Sequence, residues 1–376
     1  MGVDAIFNAH TWSTVPFGFW AVCFFVLGCI VGSFLNVCIH RLPLGMSIIT
    51  PPSHCPHCKY SIPWYLNIPL LTWLALRGRC KNCGAPISAR YFIVEFITGL
   101  AFLASWLKFG NPAHPLSSIP LALVYAGFLA GLIVAVFTDF EHLIIPNEIT
   151  FGGMAAGLLA SFLVPQLQNA SSHSTGLLRS IIGTLVGAGI IYAVVRLGKW
   201  LFGRQRLKLV EQTKIIFSET ALHLPDREIP YDEVFYRKSD AIVLRAQTVE
   251  LIDRGFKDVT VRLSPSTLQI GDEKMDPNAV PFMECVSVDV VLPREAMGLG
   301  DVKFMGAIGA FIGWQATIFT LMVSVWIGAA VGITLILTKR REWSSRMPYG
   351  PYLALATVIW LFLGKKFFPY FPQLFQ

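Results

Sequence analysis

The sequence predicts an α-helical polytopic membrane protein of about eight transmembrane helices, with a cytoplasmic loop built on four cysteines and a small cytoplasmic α+β insert. Three observations carry this. Of the 376 residues, 54% are hydrophobic and only 14% charged, with a mean hydropathy of +0.58, a balance that belongs to membrane proteins. The charge is concentrated: 13 of the 30 Lys/Arg and 16 of the 23 Asp/Glu lie in residues 203–296, leaving 17 basic and 7 acidic residues elsewhere. The apolar remainder breaks into runs of membrane-spanning character, separated by loops whose basic residues alternate in number.

The expected spans are Val15–Ile39, Tyr91–Leu107, Ser118–Phe137, Ile149–Val164, Ser180–Val195, Phe304–Trp314, Ala316–Thr338 and Tyr349–Gly364. Several fall short of the ~20 residues that cross a bilayer untilted. The sixth is short enough to be a half-span packed against the seventh. Residues 1–16 contain Asp4 and no Lys or Arg, so the positive region of a removable signal peptide is missing.

Orientation follows from the loops. Arg41, Lys59, Arg77, Arg79, Lys81 and Arg90 follow span one; Lys339, Arg340, Arg341 and Arg346 follow span seven. The loops after spans two and four hold only Lys108 and Arg179. The basic side is the cytoplasm, which places the N-terminus outside. By parity, the cysteine loop, Asp139, the charged insert and Asp301 all face the cytoplasm. The basic surplus suits orientation and contact with membrane lipid, not nucleic-acid binding.

The chain divides accordingly. Residues 1–40 are the first helix, 41–90 the cysteine loop, and 91–202 helices two to five. Residues 203–296 are a soluble insert, and 297–376 hold the Gly-x-Gly-Asp stretch and helices six to eight. The insert mixes strand-like alternation at Asp258–Leu263 and Val286–Val291 with a helix around Ala241–Arg254.

Cys55-Pro-His-Cys58 and Cys80-Lys-Asn-Cys83 are two C-x2-C pairs. Each knuckle presents two thiolates to one ion, and together they complete a tetrahedral four-cysteine zinc site. A reducing cytoplasm disfavours disulfides. Four protein ligands leave no open position for water, so the zinc is structural. Cys23, Cys29, Cys38 and Cys285 read as small buried residues.

Outside the insert the acids are Asp4, Glu95, Asp139, Glu141, Glu148, Asp301 and Glu342. Asp139 follows an apolar run and Asp301 precedes one. Ionisable groups at such borders are functional candidates by default, although Asp301 also suits a helix cap. Gly298 and Gly300 flank Leu299 just ahead of Asp301 and allow another backbone, such as a substrate's, to approach; Lys303 lies on the same approach. Two carboxylates meeting at one membrane face can share a proton. One then takes a proton from water while the other protonates a peptide carbonyl. The same pair suits a proton or cation relay in a transporter. Glu95, inside span two, is either a third functional group or a buried partner for a cation. Glu141 and Glu148 read as solvated loop acids.

These residues resemble the bacterial type IV prepilin peptidases, membrane aspartic proteases of the GxGD kind. The matching stretches are Gly32-Ser-Phe-Leu-Asn-Val-Cys-Ile-His-Arg-Leu-Pro43, both C-x2-C pairs, Asn67-Ile-Pro-Leu-Leu-Thr-Trp73 and Arg77-Gly-Arg-Cys80. They continue with Ile87-Ser-Ala-Arg-Tyr91, Glu95, Thr138-Asp139 and Ile145-Pro-Asn-Glu-Ile-Thr150. The last are Glu295-Ala-Met-Gly-Leu-Gly-Asp-Val-Lys303 and Pro348-Tyr-Gly-Pro-Tyr352. Asn147 stands where many members have Asp, and residues 203–296 make a larger insert than is usual there. The resemblance implies Asp139 and Asp301 as the catalytic pair and Cys55, Cys58, Cys80 and Cys83 as zinc ligands. It implies an inner-membrane enzyme that removes a positively charged leader from prepilins or the pseudopilins of type II secretion, cutting after a glycine. It also implies methylation of the new N-terminus by S-adenosylmethionine; that donor is expected at the zinc loop and membrane face, with Glu95 a candidate participant. The insert, with only Gly203, Gly255 and Gly271, lacks a glycine-rich nucleotide cradle and reads as an accessory domain that contacts the zinc loop, the leader or a cytoplasmic assembly protein. A peptidase without methyltransferase activity, and a transporter with a zinc-braced loop, are the other readings.

Overall fold

The computed structural model describes residues 15–338, except 203, 226, 232–233, 236–239, 252 and 294–297, together with residues 347–367. Asp4, Met297 and the basic run at 339–346 with Glu342 lie outside the described residues. The chain forms two compact units, one from residues 1–191 and 300–376, the other from residues 192–299.

The first unit is helical, in keeping with a multi-pass membrane protein. Its helices are α1 (Phe17–Arg41), the short α2 (Leu71–Ala75), α3 (Ala89–Phe109), α4 (Pro115–His142), α5 (Asn147–Leu163), α6 (His173–Phe202), α7 (Leu299–Leu337) and α8 (Gly350–Phe367). Five of these, α1, α3, α4, α6 and α7, are long and apolar enough to cross a membrane, judged by length and composition.

Close packing here depends on missing side chains, because lipid supplies no hydrophobic drive between helices. Gly28 and Gly32, one turn apart on α1, meet α3. A Cβ on Gly28 would lie 2.7 Å from the Thr98 carbonyl oxygen, and one on Gly32 would lie 2.7 Å from Glu95 Cα. The other end of this pair is filled by Trp106, fully buried, stacked on Phe17 and Phe24 with ring centroids 4.9 Å apart in each case. Gly183 and Gly187 do the same for α6 against α7: a Cβ on Gly183 would sit 2.2 Å from the Gly309 carbonyl oxygen.

The sequence predicts separate spans Phe304–Trp314 and Ala316–Thr338. The structure forms one run, α7, of 39 residues, broken at Gly313 by φ 75° and ψ 170°. An unbroken helix of that length would reach roughly 58 Å, far beyond a hydrocarbon core of ~30 Å. The break frees carbonyls that apolar surroundings cannot hydrate, and polar side chains take them. Gln168 Nε2 donates to the Ala310 and Phe311 carbonyls at 2.9 and 3.2 Å, and Ser180 Oγ donates to Ala310 O at 2.6 Å.

The second unit corrects the expectation of an α+β insert. Its sheet has eight antiparallel strands: β1 (Arg204–Phe217), β2 (Ala221–His223), β3 (Glu228–Pro230), β4 (Ile242–Glu250), β5 (Gly255–Ser264), β6 (Thr267–Ile270), β7 (Glu273–Met275) and β8 (Met283–Pro293). Their order is β3-β2-β1-β8-β4-β5-β6-β7. The helix expected around Ala241–Arg254 is strand β4. Ile242, Leu244 and Ala246 are buried while Arg245 is exposed, a period of two that outweighs the segment's helix formers. Ile215, Leu222, Ile242, Leu244, Val249, Cys285 and Val290 build the core. First and last strands pair directly, Arg204 opposite Pro293. The unit therefore begins and ends at one place, the arrangement that lets a domain be inserted between two packed helices.

Candidate active site and metal centre

The two cysteine knuckles fold alike. Lys59 N–H donates to Cys55 O and Gly84 N–H donates to Cys80 O, both at 2.9 Å. Each turn closes with a left-handed residue, Lys59 at φ 57° and Gly84 at φ 71°. The turns point four thiols inward, with all Sγ atoms within 4.8 Å of one another. Cys55 Sγ and Cys83 Sγ are 3.9 Å apart, and Cys58 and Cys80 are 4.0 Å apart. A tetrahedron with Zn–S bonds of about 2.3 Å has edges of roughly 3.8 Å, so the spacing fits zinc. The Asn82 side-chain amide donates to Cys58 Sγ at 3.5 Å. With a backbone hydrogen bond from Tyr60 it holds this thiol down at about 6, which favours the thiolate a metal needs.

Asp139 occupies the last turn of α4, 5% exposed. Its Oδ2 accepts the Gly350 N–H at 2.8 Å, so the first amide of α8 is aimed at a carboxylate. Any side chain at residue 350 would intrude: a Cβ would lie 2.8 Å from that oxygen. Asp301 sits in the first turn of α7, partly exposed, within coulombic reach of Tyr349. The Tyr349 hydroxyl is fixed by Ser324 Oγ at 2.8 Å. Ile145 ties the two together. Its Cδ1 is 3.3 Å from a Cβ built on Gly350, and its Cβ is 3.8 Å from one built on Gly300. The dipeptide Tyr349-Gly350 therefore links the surroundings of Asp139 to those of Asp301.

Gly298 is exposed immediately ahead of α7. Lys303 Nζ bonds Asn147 Oδ1 at 2.9 Å and stands 4.9 Å from the Phe151 ring, so it faces the start of α5. Glu141 is not a loop acid. It lies in the last turn of α4 and pairs with Arg90, with Nη1 2.6 Å from its Oε1. Glu148 lies in the first turn of α5.

Glu95 is buried, and its Oε2 accepts the Leu70 N–H at 2.7 Å. Leu70 is held at φ 62°, a strained value for a branched side chain, so Glu95 anchors the loop where it turns back to the helices. One turn along α1 from Gly32, Asn36 is buried and donates to Tyr91 O at 3.1 Å, while its Oδ1 has no partner among the described residues.

Sequence reasoning missed Gly350 and Ile145 as organisers of the aspartate corner. The Pro348–Tyr352 stretch was the available signal, but a backbone N–H donor carries no residue signature. Gln168 was missed as well, because the carbonyls it satisfies at the helix break carry no residue signature.

Residues 26–109 match the Bacterial Peptidase A24 N-terminal domain, and residues 126–205 and 279–333 match the Type IV leader peptidase family. A Prepilin leader peptidase/N-methyltransferase of Myxococcus xanthus (strain DK1622) is 41% identical over 218 residues, which is 52% of this chain and 62% of the relative. A protein of the same name from Aeromonas hydrophila is 26% identical over 370 residues, covering 91% of this chain and 90% of the relative. The Type 4 prepilin-like proteins leader peptide-processing enzyme of Escherichia coli O78:H11 (strain H10407 / ETEC) is 36% identical over 194 residues, 47% of this chain and 65% of the relative. No solved structure matches the chain. With both family models matched in tandem and full-length relatives aligned across it, the chain is an endopeptidase and belongs to the type IV leader peptidase family.

Proposed function

We propose that the protein removes the leader peptide of type IV prepilins or type II secretion pseudopilins by aspartate chemistry at the cytoplasmic face of the inner membrane, and then methylates the new N-terminus. The observation that carries the reading is the corner at Tyr349-Gly350, which gathers Asp139 and Asp301 from helices far apart in sequence. One carboxylate takes a proton from water as the water oxygen attacks the scissile carbonyl carbon. The other donates a proton to the carbonyl oxygen, and the tetrahedral species collapses with protonation of the leaving amine. The Gly350 amide fixes one Asp139 oxygen, so the other is the one that exchanges a proton. Gly298 and Gly300 give the substrate backbone room beside Asp301.

Zinc at Cys55, Cys58, Cys80 and Cys83 braces the loop and takes no part in hydrolysis, because four thiolates saturate it. S-adenosylmethionine would supply the methyl group. The residues fit a cationic donor at the zinc loop and membrane face, where the Glu95 carboxylate, at the loop's turn back to the helices, is an acceptor. Residues 203–296 serve as an accessory domain.

The test is mass spectrometry of a prepilin co-expressed with the protein in membranes, with and without S-adenosylmethionine. Loss of the leader in both conditions, with a methyl group added only when the donor is present, is expected. An unprocessed prepilin would refute the peptidase reading; a processed but unmethylated one would limit it to proteolysis.

A further inference from the structure

Asp139 lies in the last turn of α4, and helix ends fray because their final carbonyls lack partners within the helix. On one side the Gly350 amide holds it. Glu141 stands two residues on, about 200° round the helix, and so faces away from that contact. There it meets Arg90 in the first turn of α3, whose Nη1 reaches both carboxylate oxygens, at 2.6 Å for Oε1. Helices α3 and α4 run antiparallel, and their other ends are joined by Ser105 Oγ donating to Ala122 O at 2.7 Å.

Neither charge is where its own helix would favour it. A helix N-terminus suits acids and a C-terminus suits bases, yet Arg90 opens α3 and Glu141 closes α4. Each placement is unfavourable alone; the pair accounts for both. The side chains are only 21% and 34% exposed, and Arg90 Nε is buried with no partner among the described residues. Arg90 Cζ lies 5.5 Å from the Tyr91 ring centroid. Removing one partner therefore leaves a partly desolvated charge unpaired. Arg90 is also where the cysteine loop ends. Cys80 N–H donates to Ala85 O at 2.8 Å, Ile87 N–H donates to Gly78 O at 2.7 Å, and Ser88 Oγ accepts the Arg90 N–H at 3.2 Å. Short-range bonds thus lead from the second knuckle to the start of α3.

We propose that Arg90 and Glu141 are positioning residues: their ion pair pins the last turn of α4 from the side away from Gly350, holds the Asp139 carboxylate in place, and carries the order of the cysteine loop to the aspartate corner. The proposal rests on the peptidase reading above. The pair acts on the reaction only through the helix it holds, so its loss slows the chemical step and leaves substrate binding nearly intact.

The test uses the full chain in membranes with a type IV prepilin as substrate, rates being normalised to inserted protein. R90Q and E141Q are each expected to lower kcat about tenfold with KM within about twofold, and R90Q/E141Q to be no slower than the slower single variant. The exchanged pair R90E/E141R puts each charge at its favoured helix end and is expected to cleave within about threefold of wild type. C58S should slow the wild type severalfold but add nothing in the R90Q background. Arg79, exposed in the same loop, is the control: R79Q should match wild type. A second readout needs no substrate. Amide hydrogen exchange over residues 138–143 should rise at least about tenfold in R90Q and return to the wild-type level in the exchanged pair. Losses that multiply to about a hundredfold in R90Q/E141Q overturn the proposal. So does an exchanged pair no faster than the single variants, a change confined to KM, or unaltered exchange at the end of α4 in R90Q. A wild-type protein that never cleaves the prepilin refutes the peptidase reading instead, and the exchange measurement still decides whether the pair holds the helix.

Discussion

The cysteine loop and the aspartate corner are built in opposite ways. Each cysteine knuckle is closed by its own backbone, Lys59 N–H to Cys55 O and Gly84 N–H to Cys80 O, so two short stretches hold all four thiols. The aspartate corner has no such local frame. Asp139 ends α4, Asp301 begins α7, and the amide that binds Asp139 comes from residue 350 at the start of α8. A locally framed site tolerates movement of the surrounding helices. A corner drawn from three helices is only as good as their packing, which here rests on glycines such as Gly350 set against Asp139 and Gly328 set against Tyr352. The difference teaches where the chain is vulnerable: the cysteine cluster to its own four residues, the aspartate corner to changes anywhere along the helices that bring it together.

The largest effect separating the two is expected at the carboxylates. Asp301→Asn should lower prepilin cleavage by about 10²–10⁴-fold, the range for a lost acid or base, while zinc content stays unchanged. Gly350→Ala comes next. Its new Cβ, 2.8 Å from Asp139 Oδ2, must displace the carboxylate or the start of α8, and about a hundredfold loss of cleavage is expected with zinc again retained. Cys58→Ser inverts the pattern: metal analysis should show zinc lost, while cleavage falls only severalfold as the loop loosens. The smallest effect is one of pH. The Cys58 thiol is held at about 6 in the fold against 9.0 ordinarily, so its ionised form favours the folded loop. That contribution is full above about 9, shrinks as pH falls and is gone below about 6, where protons also displace metal. Zinc retained after dialysis should accordingly drop between pH 7 and pH 5, with the Asn82→Ala variant losing it at higher pH than wild type.

The same contrast governs what the sequence made legible. The clustering of the four cysteines was readable, because cysteine is rare, its spacing is diagnostic and its geometry is local. The aspartates were readable for a different reason: few acids survive outside the insert, and these two stand at the borders of apolar runs. Their relation to Gly350 and Ile145 was not readable, since an amide donor and a packing contact come from helix register that no local pattern encodes. The interruption at Gly313 was half legible: a boundary between spans was expected at residue 315, but not that both pieces form one bent run clamped by Gln168 and Ser180. Ala241–Arg254 was misread because its helix formers outnumber its cues for alternation. Burial of Ile242, Leu244 and Ala246 against the other strands decided the outcome.

The central claim is that Asp139 and Asp301 act as one unit. The direct measurement is the rate of prepilin cleavage in membranes by D139N, by D301N and by the double variant, each normalised to inserted protein. If the two carboxylates share one catalytic step, the double variant should be no slower than the worse single one, because removing either partner already removes the step. Losses that multiply, or either single variant cleaving at close to the wild-type rate, would contradict the account.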